Sequence, residues 1–315
     1  DNRHDTYVMH GRYYLNNVNY EGAQLANVTG KIYFSGTNVI NASIVKQYQP
    51  SNGFKYTDRA GNQHVIPGVT SDPNSENPGG SNRAIEAGGV EFLPNSQVYA
   101  TTQNGNVLET SNNHDVQLDK NAYVNLTPSD MGADGDDCNN QSEHSSVSGG
   151  GGHNDDGAYG MYMTGGNLNI NQGAVLDLNS SQNTNDLYQG SGSNIKIDGS
   201  HAQLNMNVDH GYNANAAADY PAFIRGNVTV SNNGLFKLNA HNMGDYEHVV
   251  MNVYGNITTS TGGTFDAYAG GFLPNNLANQ GYGLTHFRPA GGSTSIGSGA
   301  YVVELDGSPT ITVHD

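Results

Sequence analysis

Three arginines, Arg83, Arg225 and Arg288, stand in a chain that has only 12 Lys and Arg against 29 Asp and Glu. Each lies in a short apolar segment that precedes a glycine: "RAIEAGG" with Arg83 and Glu86, "AFIRG" with Arg225, and "THFRPAGG" with Arg288. Two further segments of the same style carry Tyr162 ("GMYMTGG") and Tyr188 ("LYQGSGS"), and Tyr220 stands just ahead of Arg225. A guanidinium offers a planar fork of donors suited to carboxylate or sulfate, and a tyrosine ring offers a flat face to a sugar. These seven residues are the candidate ligand-binding set for an acidic polysaccharide. The plainer alternative is that each Arg pairs with a surface carboxylate and each Tyr caps the core.

Other chemistry is sparse. There is no G-x-S-x-G, H-E-x-x-H or C-x-x-C motif, and no residue is assigned as catalytic. The 12 histidines are scattered. Asp134, Asp136 and Asp137, followed by Asn139, have the alternating oxygen pattern that calcium loops use. No closing glutamate or flanking helix pattern accompanies them, so a solvated loop is the preferred reading and no cofactor is required. A lyase acting on a polyuronate would need a cation at the sugar carboxylate and an Arg or Lys base. Arg225 and Arg288 could serve as that base, but Glu86 alone would offer a metal carboxylate on the same strands, which makes catalysis, by a polysaccharide lyase or hydrolase acting on polyuronates, the alternative reading.

The formal charge of −17 argues against nucleic acid, whose phosphates need clustered Lys and Arg. No run of about 18 apolar residues is present, so no membrane insertion by a helix is expected. The N-terminus carries no charged-apolar-small leader, as expected of a mature or excised piece. One cysteine, Cys138, excludes an intrachain disulfide framework. With 42 Gly, 19 Tyr and no Trp, the composition favours turns and strands.

The elements that must position the candidate residues are repeats. "NLNINQGAVLDLN" begins at Asn167, "NIKIDGSHAQLNMN" at Asn194, "NVTVSNNGLFKLN" at Asn227 and "NITTSTGGTFDAY" at Asn256. Weaker copies start at Lys31, Gly89, Asp115 and Ser293. The first apolar positions, Ile32, Val90, Val116, Leu168, Ile195, Val228, Ile257 and Thr294, are 58, 26, 52, 27, 33, 29 and 37 residues apart. The shorter gaps fit one turn of a three-strand coil. The two longest hold either one turn with an insertion or two turns with one degenerate.

Apolar residues alternate within each unit, so each short strand has an inward and an outward face. One such unit cannot bury its own apolar edge; stacking the units as parallel rungs can. The expected fold is therefore all-β, a right-handed parallel β-helix (β-solenoid) in one domain, with loop insertions on one side. Residues 1–27 are expected to cap one end and residues 308–315 to form the other, while 43–84 and 127–160 are the large insertions. The first insertion holds "FKYTDRAGNQHVI", which reads as a projecting hairpin. The glycines before Asn167, Asn227 and Asn256 suit positive φ, and the asparagines suit a hydrogen-bonded ladder.

Units such as "GNVTVSNNGLFKLNAHN", "MTGGNLNINQGAVLDLN" and "GGVEFLPNSQVYATTQNG" in an acidic, Gly-, Asn- and Tyr-rich chain resemble the binding regions of serine-rich repeat adhesins of lactobacilli. The resemblance covers about residues 28–307. It implies a β-solenoid with a pectate-lyase-like shape and an extracellular place on the bacterial cell surface, anchored to the wall through regions outside this chain. It also implies attachment to pectin-like polyuronates, sulfated glycans and host mucus or epithelial glycans. Charge points the same way: at about pH 4, roughly half of 29 carboxylates are protonated while 12 His join 12 Lys and Arg, so roughly 24 positive charges face 15 negative. Binding to acidic glycans should strengthen in acid. Self-association at low pH, through the neutralised surface, is a further expectation.

Overall fold

The computed structural model describes residues 11–22, 24–42, 54–66, 83–102, 106–110, 114–128, 158–180, 184–208, 222–240, 251–269, 287–289, 303–305 and 311–313. These residues are all-β. They form one sixteen-stranded and one eight-stranded sheet, both with parallel neighbours, and a separate two-stranded hairpin. The architecture is compatible with a β-solenoid.

The chain visits three strand positions in a fixed order. In one rung, Thr184–Gln189 is followed by Ile195–Asp198 and then Gln203–Val208; in the next, Ala222–Ile224 is followed by Val228–Ser231 and Leu235–Ala240. Each strand pairs in parallel with the strand one rung away at the same position. Two long strands, Ala26–Ser35 and Arg83–Phe92, run through two positions at once and so join two columns of rungs into the larger sheet.

Register explains why this sequence stacks. Ile32, Val90, Val116, Leu168, Ile195, Val228 and Ile257 are partners in succession, and each is at most 1% exposed. The second sheet repeats the pattern with Val98, Val124, Leu176, Leu204 and Phe236, all fully buried. Alternation then sends the intervening residues outward. Within the stack, backbone N–H and C=O groups of the strands pair with the neighbouring rungs, so short strands need no hairpins.

The pairing also settles the long gaps. Ile32 pairs directly with Val90, and Val116 directly with Leu168, so each of those gaps holds one turn and an insertion. The last unit differs from expectation. Ile257 pairs with Ile311, not Thr294, and Val303–Leu305 pairs with Met251–Val253 at the position that precedes the asparagine corner. At the other end, Arg12–Asn16 and Asn19–Gly22 pair in parallel with Lys31–Ser35 and Val39–Ala42, so the segment expected to cap the stack continues its ladder.

The expected asparagine ladder forms. Asn194 donates through its amide nitrogens to Asn167 Oδ1 at 3.2 Å, Asn227 to Asn194 at 3.3 Å, and Asn256 to Asn227 at 3.0–3.1 Å. Asp115 starts the ladder by accepting from Asn167. The reason for the glycines before it is only partly the expected one. Gly166 has φ 76°, but Gly226 and Gly255 are not among the positive-φ residues. A Cβ at Gly226 would lie 1.7 Å from the Ser193 carbonyl oxygen, and one at Gly255 1.8 Å from that of Gly226. Close stacking of corner on corner, not left-handed backbone, is what demands glycine at those two sites.

Candidate functional site

The strands that precede the asparagine corner carry the candidate binding residues, and their register puts several in one outward row. Glu86 pairs with Glu109, Glu109 with Tyr162, Tyr162 with Tyr188, and Tyr188 with Phe223. By backbone register the same position runs on to Asn252, Glu304 and Arg288. Their neighbours along the strands, Leu108, Met161, Leu187, Ala222 and Met251, are fully buried, so parity turns Tyr162, Tyr188 and Phe223 away from the core, where they are half-buried, while Glu109 at the same position is itself buried.

Parallel in-register pairing places like residues on top of one another, and here it builds an aromatic ridge. The Tyr162 and Tyr188 rings stack at 4.4 Å and 11°. Phe223 stacks on Tyr188 at 5.7 Å and 15°, and Tyr254 meets Phe223 edge-on at 5.5 Å. Tyr159 sets its ring across Tyr162 and Tyr188 from the side. Such pairs contribute about 0.5–1.5 kcal/mol each beyond burial and favour this arrangement of the rings.

Arg225 follows the strand Ala222–Ile224 and is exposed. Its guanidinium carbon is 4.8 Å from the Phe223 ring centroid, 5.8 Å from Tyr254 and 6.0 Å from Tyr188. The cation thus lies across the ridge among three aromatic rings, with its charge still open to water. Cation–π contacts of this kind are worth about 0.5–1 kcal/mol at exposed sites. They orient the guanidinium without neutralising it, unlike a carboxylate partner.

The structure brings Glu86, Tyr162 and Tyr188 into one row and Arg225 beside it. Arg83 and Arg288 lie on other strands of the same column, several rungs away from Arg225 on opposite sides. Tyr220, Asp134, Asp136 and Asp137 lie outside the described residues, as does most of 127–160. Sequence reasoning missed Phe223, Tyr254, Tyr159 and Glu109. Phe223 was readable from the same alignment that placed Tyr162 and Tyr188; Tyr254 reaches the ridge from the following corner, where no strand alternation announces it.

The second sheet offers a different face. The hairpin formed by Phe54–Thr57 and Gln63–Ile66 is antiparallel, as expected, but it does not project. It lies against the outer side of the second sheet. Tyr56 packs on Tyr99 with centroids 4.4 Å apart, and the Arg59 amide donates to Tyr99 Oη at 3.0 Å. The Arg59 guanidinium donates to the carbonyls of Asn121 and Gly173. Gly173 has φ 72° and a Cβ there would sit 2.2 Å from Asn121 Oδ1, so the corner that receives Arg59 is itself tightly specified. Tyr99 points outward by strand parity yet is 1% exposed, because the hairpin covers it.

The hairpin turn is pinned from within. Asp58 accepts from the amides of Ala60 and Asn62, from Asn62 Nδ2 and from His64 Nε2. The His64 bond, first, and those from Asn62 hold the Asp58 carboxyl well below the usual carboxylate range. The His64 ring stacks on Tyr56 at 4.9 Å. Between hairpin and sheet lies an open cleft of about 450 Å³.

Compared with known families, curated proteins and solved structures, the chain shows no significant match. The two faces therefore have to be read from their own chemistry.

Proposed function

We propose that the chain is a right-handed parallel β-helix serving as a non-catalytic adhesin domain on a bacterial cell surface. Its ridge binds acidic polysaccharides, pectin-like polyuronates or sulfated glycans, and through similar groups the glycans of mucus or epithelium. The observation that carries this reading is the Arg225 guanidinium held over Phe223, Tyr188 and Tyr254. The stacked rings have their faces turned to one another and so present a continuous apolar edge along the rungs, against which a sugar chain can lie, and a cation fixed among the rings supplies the fork that a carboxylate or sulfate accepts. Successive rungs, about 4.8 Å apart, present these groups as a linear track suited to a polymer rather than as a pocket suited to a small molecule.

Acid should favour the interaction. The overall negative charge of the protein repels a polyanion at neutral pH, and protonation of its carboxylates removes that repulsion.

The deciding experiment is titration with polygalacturonate and rhamnogalacturonan at about pH 4 and pH 7.5, with and without calcium, following bound fraction together with ultraviolet absorbance of unsaturated product. Binding that is stronger at the lower pH, with no product, is the expected result. Product formation would make the protein a lyase, and binding that strengthens steadily toward neutral pH would refute the acid-favoured reading.

A further inference from the structure

We propose that the cleft between the hairpin and the second sheet is a separate site for a neutral, hydroxyl-rich sugar unit. It stands on observations independent of the ridge, on a different face of the rungs.

The floor of the cleft is a preformed hydrogen-bond array. Tyr123 Oη donates to Asp177 Oδ2, and Asn205 Nδ2 donates to Asp177 Oδ1 at 2.7 Å. Thr127 Oγ1 and Asn179 Nδ2 both donate to Asn125 Oδ1, at 3.0 and 3.2 Å, and Asn207 extends the array by donating to Asn179 at 2.9 Å. The opposite wall is the hairpin, where Tyr56 lies packed between His64 and Tyr99 and holds the His64 ring in place. A carboxylate-and-amide floor facing an aromatic wall is the combination that recognises a pyranose: hydroxyls bond to the floor while apolar C–H groups lie against a ring.

Charge narrows the class of ligand. The described lining includes Asp58 and Asp177 and no Lys or Arg. The one arginine of the hairpin, Arg59, is turned into the sheet corner and bonded to backbone carbonyls. A uronate or sulfate would meet carboxylates with only His64 as a counter-charge, and His64 is already engaged with Asp58, whereas a neutral sugar meets no charge repulsion there. The floor's polar side chains are already held by one another, so little ordering is needed when a ligand enters.

The test uses the whole chain and a panel of methyl glycosides of glucose, galactose, mannose and N-acetylglucosamine with neutral oligosaccharides built from them, followed by saturation-transfer NMR and calorimetry. At least one member is expected to bind. Tyr56→Ala and Asp177→Asn should each weaken that binding roughly tenfold or more, as expected for the loss of the ring that supports the aromatic wall or of a charged acceptor. His64→Ala, which leaves the Arg59 tether in place, should weaken it as well, and Arg225→Ala should not change it. Circular dichroism melts identify any variant that fails to fold. Absence of binding across the panel, or binding indifferent to Tyr56→Ala and Asp177→Asn in folded protein, overturns the proposal. Neither result bears on polygalacturonate binding at the ridge.

Discussion

The ridge and the cleft are built from the same rungs by different means. The ridge is assembled by repetition: Tyr162, Tyr188 and Phe223 occupy one register position in successive rungs, so the parallel pairing that makes the sheet also makes the stack. The cleft is assembled by insertion. Its outer wall arrives from a hairpin whose contacts span 40 residues to Tyr99, 62 to Asn121 and 114 to Gly173. One face carries an exposed cation on rings, and the other carries carboxylates and amides with its cation turned inward. A repetitive scaffold can thus hold two opposite chemistries, one in its repeat and one in what interrupts the repeat.

The largest perturbation should abolish the distinction by removing the shared rungs. Leu176 is fully buried between Val124 and Leu204. Leu176→Ala removes its packing and leaves a cavity, at a cost of about 2–5 kcal/mol. The urea midpoint should fall accordingly, and both binding activities should be lost at the same denaturant concentration. Loss of one activity well before the other would mean that the rungs bearing ridge and cleft unfold separately, as one-dimensional arrays can.

A smaller change should separate the faces. Arg225→Ala removes the cation over the ridge while touching nothing in the cleft. Polygalacturonate affinity at acid pH should drop roughly tenfold, about 1.4 kcal/mol, with the thermal midpoint nearly unchanged because the side chain is exposed. Arg225→Lys should recover only part of it, since an ammonium keeps the charge but not the planar fork. Full affinity in Arg225→Ala would remove the observation on which the adhesin reading rests.

Much of the ridge could be read from sequence, because alternation and unit spacing alone place Ile195 under Val228 and Tyr188 beside Tyr162. The same periodicity foretold the ladder through Asn167, Asn194, Asn227 and Asn256. Reading failed where the cause was not periodic. Gly226 and Gly255 answer to a carbonyl one rung away, which no local pattern displays. The hairpin's strands were legible in "FKYTDRAGNQHVI", but its docking depends on Tyr99 being an outward residue large enough to be covered, and on an Arg59 that reaches two corners. The last rung was misassigned because Ser293–Thr294 imitates the unit, while Ile311–Val313 supplies the partner of Ile257.

The smallest effect concerns acid, and it too divides the faces. Asp186 lies on the strand that carries Tyr188 and is fully buried, and neither carboxylate oxygen makes a well-formed hydrogen bond. Burial pushes its pKa well above the ordinary carboxylate value, with the Ser180 hydroxyl and amide and the Asn207 amide only partly opposing it. A folded-state pKa above the unfolded one means that the folded protein holds the proton more tightly. Its contribution to stability is complete below the unfolded value near 4 and declines as pH rises toward the folded value. Asp58 in the hairpin has the opposite sign: its depressed pKa gives a contribution present above the ordinary value and lost only as pH falls through the depressed one. Acidification from neutral to about pH 4 should therefore tighten the ridge rung while leaving the hairpin turn pinned. Thermal melts across that range should show the midpoint rising toward acid, and Asp186→Asn, which keeps the shape and cannot ionise, should flatten the rise. An unchanged slope in Asp186→Asn would place the acid response elsewhere, in the surface carboxylates whose protonation also relieves the repulsion of a polyanion.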